Sequence, residues 1–234
     1  MREYSPITCP QDIACLDALA SQSTSPCKYQ EALVVLGKSL AKEVLVKLGA
    51  DIPQQLCVVC TAEDADGLGR GIIQTLSDAG LAERVRVVCF WNDRIPLANG
   101  DLAPIVKEYR EPCNLNGSAL IVVKSIIASA CVVRTNISSL VANNCPKHIF
   151  VLAPVMFKGA EKNLASEFDA KFSDRFQYII FATDDERDTN NYVVPGIGGS
   201  IYARLGFGTV QAKNRYLPSL VKARRDQSFH AATV

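Results

Sequence analysis

The sequence predicts an α/β protein in which a parallel β-sheet is flanked by helices. Short apolar segments recur along the chain, and segments in which apolar residues have helical spacing lie between them. Strands that alternate with helices of about 10–15 residues are typical of βαβ units on a parallel sheet. We therefore expect a single α/β domain over residues 29–234, preceded by an N-terminal segment, residues 1–28.

The predicted elements follow one another in a regular order. A helix over residues 29–48 is predicted from apolar residues spaced three and four apart, and Gly49 is a natural end for it. Further helices are predicted at residues 11–20, 69–79 and 158–168, and from the end of the third strand to residue 142. The strands are predicted at residues 56–60, 85–90, 119–123, 148–152 and 177–182. All of these strands except 85–90 are predicted to lie parallel in one sheet with right-handed crossovers.

The composition excludes several classes of protein. There are 25 basic and 24 acidic side chains, so the basic surplus that nucleic-acid binders need is missing. The chain has only 2 histidines, which excludes a histidine-rich metal centre. The N-terminus has no apolar signal core, and the longest apolar stretch, residues 119–133, is interrupted by Lys124 and falls short of the roughly 20 residues of a membrane span. We expect a cytoplasmic protein that binds neither nucleic acid nor membranes.

The chain contains 9 cysteines, of which Cys57 and Cys60 form a CxxC motif. This spacing occurs in zinc sites and in redox motifs. Both residues lie in a predicted strand, where positions three apart point to opposite faces, so the two thiols cannot easily share a ligand. We expect both cysteines to be buried, reduced and free of metal.

Ligands of open α/β sheets bind beyond the carboxyl ends of the strands, so the loops after the strands are the candidate sites. The first such loop, residues 61–71, combines the acidic Glu63 and Asp64 with Gly67 and Gly69. Glycines that enter a helix can hold a phosphate on backbone N–H groups, and the acidic residues would then need a divalent cation between them and the phosphate. In the alternative interpretation, the acidic residues cap the helix.

The second candidate loop follows the third strand. Lys124, Ser125 and Ser129 precede a predicted helix, and an ammonium group, hydroxyls and a helix N-terminus can together hold an anion. The alternative is an ordinary junction between a strand and a helix.

The third candidate loop follows the fifth strand. Acidic residues that include Asp184 and Asp185 precede the segment P-G-I-G-G at residues 195–199. Proline stiffens such a segment and glycines expose its backbone, which suits the recognition of a flat ligand such as a nucleobase. The alternative is a surface loop without a ligand.

The order of these segments resembles that of the uracil phosphoribosyltransferases, a family of type I phosphoribosyltransferases. Residues 191–198, N-Y-V-V-P-G-I-G, are similar to the uracil-binding motif G-Y-I-V-P-G-L-G of that family. Residues 206–209, G-F-G-T, resemble the end of the same motif, and residues 33–43 resemble the N-terminal helix of the family. Residues 67–69, G-L-G, fall where the family has R-A-G-L-G. The resemblance runs from residue 29 to residue 209.

The resemblance implies a type I phosphoribosyltransferase-like fold, a homodimer, and a reaction that joins uracil to phosphoribosyl pyrophosphate with the help of Mg²⁺. It implies that Val194, Gly196, Ile197 and Gly198 bind the base. The segment at residues 123–131 takes the place of the loop that holds the ribose and its phosphate in the family. Phosphate and ribose contacts are then expected from the two loops named above and from an arginine near the base motif, namely from Lys124, Ser125, Ser129, Gly67, Gly69 and Arg204. Mg²⁺ would be held by Glu63 and Asp64 or by Asp184 and Asp185.

The sequence also departs from the family. The family's acidic residue for the ribose hydroxyls is missing, and Lys124 lies near its place. The glycines of that loop are missing as well. Two functions therefore stay open. One is a divergent enzyme that transfers phosphoribosyl to a pyrimidine base, and the other is a catalytically degenerate protein that binds a base or nucleotide in regulation or assembly. Both predict that residues 194–198 form a wall of the binding pocket, with their backbone groups directed inward.

Overall fold

The computed structural model describes residues 1–93, 95 and 102–231, without the side chains of residues 210 and 228–231. The strands are β1 (Arg2–Tyr4), β2 (Leu56–Thr61), β3 (Val85–Asn92), β4 (Ile105–Arg110), β5 (Ala119–Val123), β6 (Ile126–Ile127), β7 (His148–Phe157), β8 (Phe176–Asp184), β9 (Glu186–Arg187) and β10 (Val193–Val194). The α-helices are α1 (Pro10–Ala20), α2 (Pro26–Leu48), α3 (Ala62–Asp64), α4 (Arg70–Asp78), α5 (Cys131–Val141), α6 (Ala160–Ala165), α7 (Ala170–Ser173), α8 (Ile201–Arg204), α9 (Val210–Arg215) and α10 (Ser219–Ala231). A π-helical turn, Ala65–Gly69, joins α3 to α4, and a 3-10 turn, Ala82–Arg84, precedes β3.

The main sheet has the strand order β1-β8-β7-β5-β2-β3-β4 in the described part of the chain, with the short β6 paired to β7. The strands β3, β2, β5, β7 and β8 are parallel to their neighbours in this order, whereas β1 and β4 are antiparallel at the two edges. The prediction of an α/β fold with a mostly parallel sheet flanked by helices is confirmed. The four strands predicted to lie parallel in one sheet do so.

Apolar side chains are packed on both faces of the sheet. Along β2, Val58 and Cys60 belong to the cluster that also contains α1 and α2, whereas Cys57 and Val59 belong to the cluster that contains α5. Cys57 and Cys60 are both fully or almost fully buried, and neither forms a disulfide. The CxxC motif therefore places its two thiols on opposite faces of the sheet, as the spacing predicts.

The long helix α2 packs closely against the turn and helix that follow β2. A Cβ atom on Gly71 would lie 2.2 Å from the backbone oxygen of Val34, and one on Gly67 would lie 2.7 Å from the Cβ of Leu33. Only glycine allows the two segments to approach this closely, because any larger residue would force them apart. Gly67 is therefore explained by helix packing.

Several elements differ from the predicted ones. β7 extends five residues beyond the predicted end at residue 152, to Phe157, and the helix expected at 158–168 is shortened to Ala160–Ala165. The N-terminal segment contributes β1, which pairs with β8 through the register of Arg2 with Asp184. Within the described residues, no helix is long and apolar enough to span a membrane.

Candidate functional site

A cavity of about 430 Å³ opens beyond the carboxyl ends of the parallel strands. Its volume is within the range of about 300–1,000 Å³ that is usual for small-molecule sites. Polar side chains that line it are Glu63, Asn92, Lys124, Ser129, Asn191, Tyr192, Ser200, Tyr202 and Thr209. Apolar and glycine residues that line it are Ile126, Ala128, Val132, Val133, Val193, Ile197, Gly199, Ile201, Ala203 and Gly208. The cavity thus has an apolar body with polar groups around it.

Two of the segments singled out in the sequence meet in this cavity. One wall comes from the loop after β5 and the first residues of α5, with Ala128 and Ser129 among its members. The opposing residues come from the stretch that runs from Asn191 through Ile197 to α8. These are the segments to which the resemblance assigned the ribose phosphate and the base.

A buried ionic cluster lies at this edge of the sheet. Glu63 and Asp64, which follow β2, form it with Lys124, which follows β5. The Nζ of Lys124 lies 2.6 Å from Asp64 Oδ2 and 3.2 Å from Glu63 Oε1. Asp64 also accepts hydrogen bonds from the Thr61 hydroxyl at 2.8 Å and from the backbone N–H of Ser125 at 3.2 Å. The carboxylate of Asp64 therefore joins the loops after β2 and β5.

The charges in this cluster are unequal, because one ammonium group faces two carboxylates. Burial by itself would lower the pKa of Lys124, but the charges of Asp64 and Glu63 outweigh this effect and raise it. Lys124 is therefore a stable cation at neutral pH. Its Nζ is already bound by carboxylates, which does not fit the predicted role of Lys124 as the main anion-binding group.

Two other polar residues belong to the cavity wall. Asn92 ends β3, and its Nδ2 donates to the backbone oxygen of Ala103 at 3.0 Å and to Asn136 Oδ1 at 2.9 Å. Tyr202, on α8, has a raised pKa because its hydroxyl is largely buried and because Glu63 is nearby. The analysis of the sequence missed both residues. Asn92 could have been predicted, because it lies two residues beyond the strand predicted at residues 85–90. The loops after parallel strands meet at one edge of the sheet, where ligands bind.

The predicted base-binding segment is placed beside the cavity, but its backbone groups are already paired. The backbone N–H of Gly196 donates to Asp184 Oδ2 at 2.8 Å, and its backbone oxygen accepts from Arg2 at 2.7 Å. The backbone oxygen of Ile197 accepts from the Tyr29 hydroxyl at 3.0 Å. The expectation that these backbone groups point into the pocket is therefore wrong for the groups of Gly196 and Ile197 named here.

Ile197 lines the cavity, whereas the other predicted base-binding residues are not among the lining residues. The backbone oxygen of Gly198 accepts from Gln22 Nε2 at 3.0 Å, and a Cβ atom on Gly198 would lie 2.4 Å from the backbone oxygen of Leu19. Val194 is partly exposed in β10, which pairs with β9. Gly198 thus allows close packing against the N-terminal part of the chain.

The carboxylates proposed for Mg²⁺ are also engaged by other groups. Asp184 is fully buried and forms a two-pronged ion pair with Arg2, at 2.9 and 2.8 Å. Asp185 pairs with the terminal ammonium group of Met1. Among the described residues, no group of three or more histidine, cysteine, aspartate or glutamate side chains is placed to hold a metal ion. Each carboxylate predicted for Mg²⁺ is therefore paired with a cationic group of the protein, and the expected Mg²⁺ stays a prediction.

The remaining predicted phosphate-binding residues lie away from the cavity. Gly67 and Gly69 are buried in the π-helical turn against α2. The guanidinium group of Arg204 donates to the backbone oxygen of Gln22 at 3.3 Å and lies 4.9 Å from the ring centre of Tyr29. Of the residues assigned to phosphate or ribose, only Lys124 and Ser129 line the cavity, and Ser125 is fully buried behind it.

The alternative in which the acidic residues after β2 cap the helix that follows them is wrong, because no side-chain hydrogen bond caps α3 or α4. Asp66 accepts hydrogen bonds at 2.8 Å from the backbone N–H groups of Ser219 and Leu220. Asp66 therefore caps the N-terminus of α10 rather than the helix that follows it in the sequence. Its position explains why an acidic residue is tolerated in an otherwise apolar turn.

Comparison with known proteins agrees with this description of the fold. No protein-family model matches the sequence, and no curated protein matches it. Among solved structures, the chain is similar to the AQ2163 protein from Aquifex aeolicus, with a TM-score of 0.66 at 15% identity over 84% of this chain and 94% of that one. At this level of identity the likeness concerns the fold alone.

Type I phosphoribosyltransferases are also among the structural neighbours. A variant of the hypoxanthine phosphoribosyltransferase from Trypanosoma cruzi, in complex with its product IMP, matches with a TM-score of 0.44 at 10% identity over 68% of this chain and 76% of that one. The hypoxanthine-guanine phosphoribosyltransferase from L. donovani matches with a TM-score of 0.42 at 14% identity over 74% and 90%. These scores are too low to carry any conclusion about substrate or activity.

Proposed function

We propose that this chain is a phosphoribosyltransferase-like protein that binds a nucleobase or its nucleotide without transferring the phosphoribosyl group at an appreciable rate. The observation that carries the proposal is the meeting of two loops in one cavity, the loop after β5 and the stretch from Asn191 to α8. The sequence resemblance assigns the sugar phosphate to the first and the base to the second. The same resemblance favours a pyrimidine base of the uracil type.

The ionic cluster is the reason for proposing binding without transfer. In the loop after β5, Lys124 stands near the position where the related enzymes have the acidic residue for the ribose hydroxyls. Its ammonium group is held by Asp64 and Glu63 beneath the cavity. The hydroxyls of Ser129 and Ser200 are left to contact a sugar or phosphate, and the chain supplies no comparable carboxylate on this loop.

The proposal is tested by two measurements on the same preparation. Calorimetric titration with uracil, cytosine, UMP, CMP, IMP, GMP and phosphoribosyl pyrophosphate, with and without Mg²⁺, measures binding. Release of pyrophosphate from phosphoribosyl pyrophosphate in the presence of each base measures transfer. We expect binding of at least one base or nucleotide and no release above the rate without protein.

A cavity variant with a matched control locates the binding. Ser129 is exposed at the cavity wall, so Ser129→Phe fills the cavity with little effect on the core. Ser138 is exposed on α5 and is not among the lining residues, so Ser138→Phe is the control. We expect loss of binding in the first variant only. Equal affinity in both variants, or no binding of any base or nucleotide to the unmodified protein, would refute the proposal.

Transfer of phosphoribosyl to a pyrimidine base is the second candidate function. It is favoured by the same meeting of the two loops, and it would need Mg²⁺ beside phosphoribosyl pyrophosphate. Pyrophosphate release that depends on both base and Mg²⁺ would establish it and would replace the proposal of binding alone. The expected homodimer stays a prediction, which sedimentation equilibrium would test.

A further inference from the structure

Two buried oxygen atoms in the cavity wall have no hydrogen-bond partner among the described residues. They are Oε2 of Glu63 and Oδ1 of Asn92, and both residues line the cavity. The residues are only 6% and 4% exposed, and neither oxygen is open to solvent. A buried acceptor without a donor costs about 1–3 kcal/mol, and more when it is charged, so such atoms usually indicate a missing partner.

The pairing of β2 with β3 places these two residues on neighbouring chain segments. Thr61 at the end of β2 pairs in register with Phe90 of β3, and the two strands are parallel. Glu63 and Asn92 each lie two residues further along the chain. Glu63 lies in α3, directly after β2, and Asn92 is the last residue of β3, so both belong to the carboxyl edge of the sheet, and both line the cavity.

The other contacts of each side chain identify the atom that is left unpaired. The Nδ2 of Asn92 donates to the backbone oxygen of Ala103 and to Asn136 Oδ1, so an exchange of the amide nitrogen and oxygen would place acceptor against acceptor. Oε1 of Glu63 binds the ammonium group of Lys124 at 3.2 Å, which leaves Oε2 as the unpaired oxygen. The unpaired atom of each residue is thus an acceptor.

The charge of this region also selects a donor. Lys124 is the cation bound to both Glu63 and Asp64, so the cluster carries one negative charge more than positive charges when both carboxylates are ionised. A carbonyl oxygen of a ligand that faced Glu63 would meet a carboxylate without a hydrogen between them. An N–H group would instead form a charge-assisted hydrogen bond.

We propose that Glu63 and Asn92 make the cavity selective for a base that carries an exocyclic amino group. This inference rests on the proposed function, because it concerns which base occupies the same cavity. It departs from the uracil-type base that the resemblance favours, because uracil has no exocyclic amino group. An amino group has two N–H donors on one nitrogen and can therefore satisfy both acceptors at once. Because neither oxygen is open to solvent in the unliganded protein, the inference requires both side chains to move toward the cavity when the ligand enters.

Matched pairs of nucleotides test the inference on the unmodified protein. GMP differs from IMP by an added 2-amino group, and CMP presents a 4-amino group where UMP has a 4-oxo group. Calorimetric titration should give affinities at least about tenfold higher for the amino member of one pair. Equal affinities, or a preference for IMP and UMP in both pairs, would overturn the inference and leave the proposed function standing.

The variant Glu63→Gln reverses the chemistry at this position. Lys124 requires an oxygen as its partner, so the amide nitrogen takes the place of Oε2 and becomes a donor. We expect the preference to invert, with the oxo member of the pair bound more tightly. A variant that keeps the preference for the amino member would overturn the role of Glu63. Should the variant fail to fold, the matched pairs still decide the inference, and absence of binding by every nucleotide would refute the proposed function itself.

Discussion

Lys124 shows how a single side chain changes the chemistry that a loop can perform. From the sequence alone, a lysine between a strand and a helix is predicted to bind an anion. Its ammonium group is instead bound by Asp64, which is 60 residues away in the sequence. No local pattern predicts this contact, because it depends on β2 and β5 being neighbours in the sheet.

Removal of Lys124 is expected to destabilise the protein strongly. Lys124→Ala leaves the carboxylates of Glu63 and Asp64 buried without their counter-ion, which typically costs about 3–5 kcal/mol. The control is Lys147→Ala, because Lys147 pairs with Asp51 where both side chains are at least half exposed. Such a surface pair contributes about 0–1 kcal/mol. Urea unfolding measures both, and equal small losses would show that the cluster is not a buried ion pair.

Cys113 is expected to react with alkylating reagents at a lower pH than an ordinary cysteine. The Cys57 thiol donates a hydrogen bond to Cys113, which lowers the pKa of Cys113 although partial burial opposes the effect. A lowered pKa means that the reactive thiolate is present at lower pH. The rate of alkylation by iodoacetamide, followed by mass spectrometry for the Cys113 peptide, should therefore rise at lower pH than the rate for free N-acetylcysteine.

The control for this prediction removes the donor. In Cys57→Ala the pKa of Cys113 should move upward, and its alkylation profile should shift to higher pH. An unchanged profile would show that the contact between the two thiols does not govern the reactivity of Cys113.

At the scale of elements, the loop at residues 193–198 joins the cavity to the N-terminal part of the chain. The sequence motif indicated the position of this loop next to a pocket, and Ile197 does line the cavity. The motif could not predict the partners of its backbone, since Arg2 and Gly196 are 194 residues apart. Tyr29 and Asp184 complete the same network.

Substitution of Gly196 is therefore expected to disrupt the loop rather than simply fill a pocket. Gly196 has a φ of +55°, and an added Cβ atom would lie 2.1 Å from the backbone oxygen of Val193. We expect Gly196→Ala to cost about 2–4 kcal/mol in the free energy of unfolding. Gly80 has a φ of +78° with no atom within 4 Å of the added Cβ, so Gly80→Ala should cost only about 1–2 kcal/mol.

Thermal unfolding of the two variants checks this difference. A Gly196→Ala protein as stable as Gly80→Ala would mean that the backbone network around Gly196 is not formed. Loss of ligand binding by a Gly196→Ala protein of unchanged stability would instead support the earlier expectation that this backbone lines the pocket.

At the scale of the whole molecule, the sheet was predictable and its edges were not. Continuous apolar runs such as residues 119–123 define buried parallel strands without any knowledge of their neighbours. The antiparallel β1 and β4 carry partly exposed polar residues, so their sequences resemble loops. The site follows the same division, because the position of the cavity follows from strand order, whereas the ion pair of Glu63 with Lys124 and the hydrogen bond of Asn92 with Asn136 join segments that are distant in the sequence.

The most direct test of the account is hydrogen–deuterium exchange with and without saturating nucleotide, either UMP or CMP. The account predicts that the segments at residues 124–133 and 191–203 both become protected, because both form the wall of the cavity. Peptides of α7 serve as the internal reference, because no residue of α7 lines the cavity. The exchange of these peptides should not change. Protection of only one segment, of neither, or of a different surface would contradict the claim that the two loops form one nucleotide-binding site.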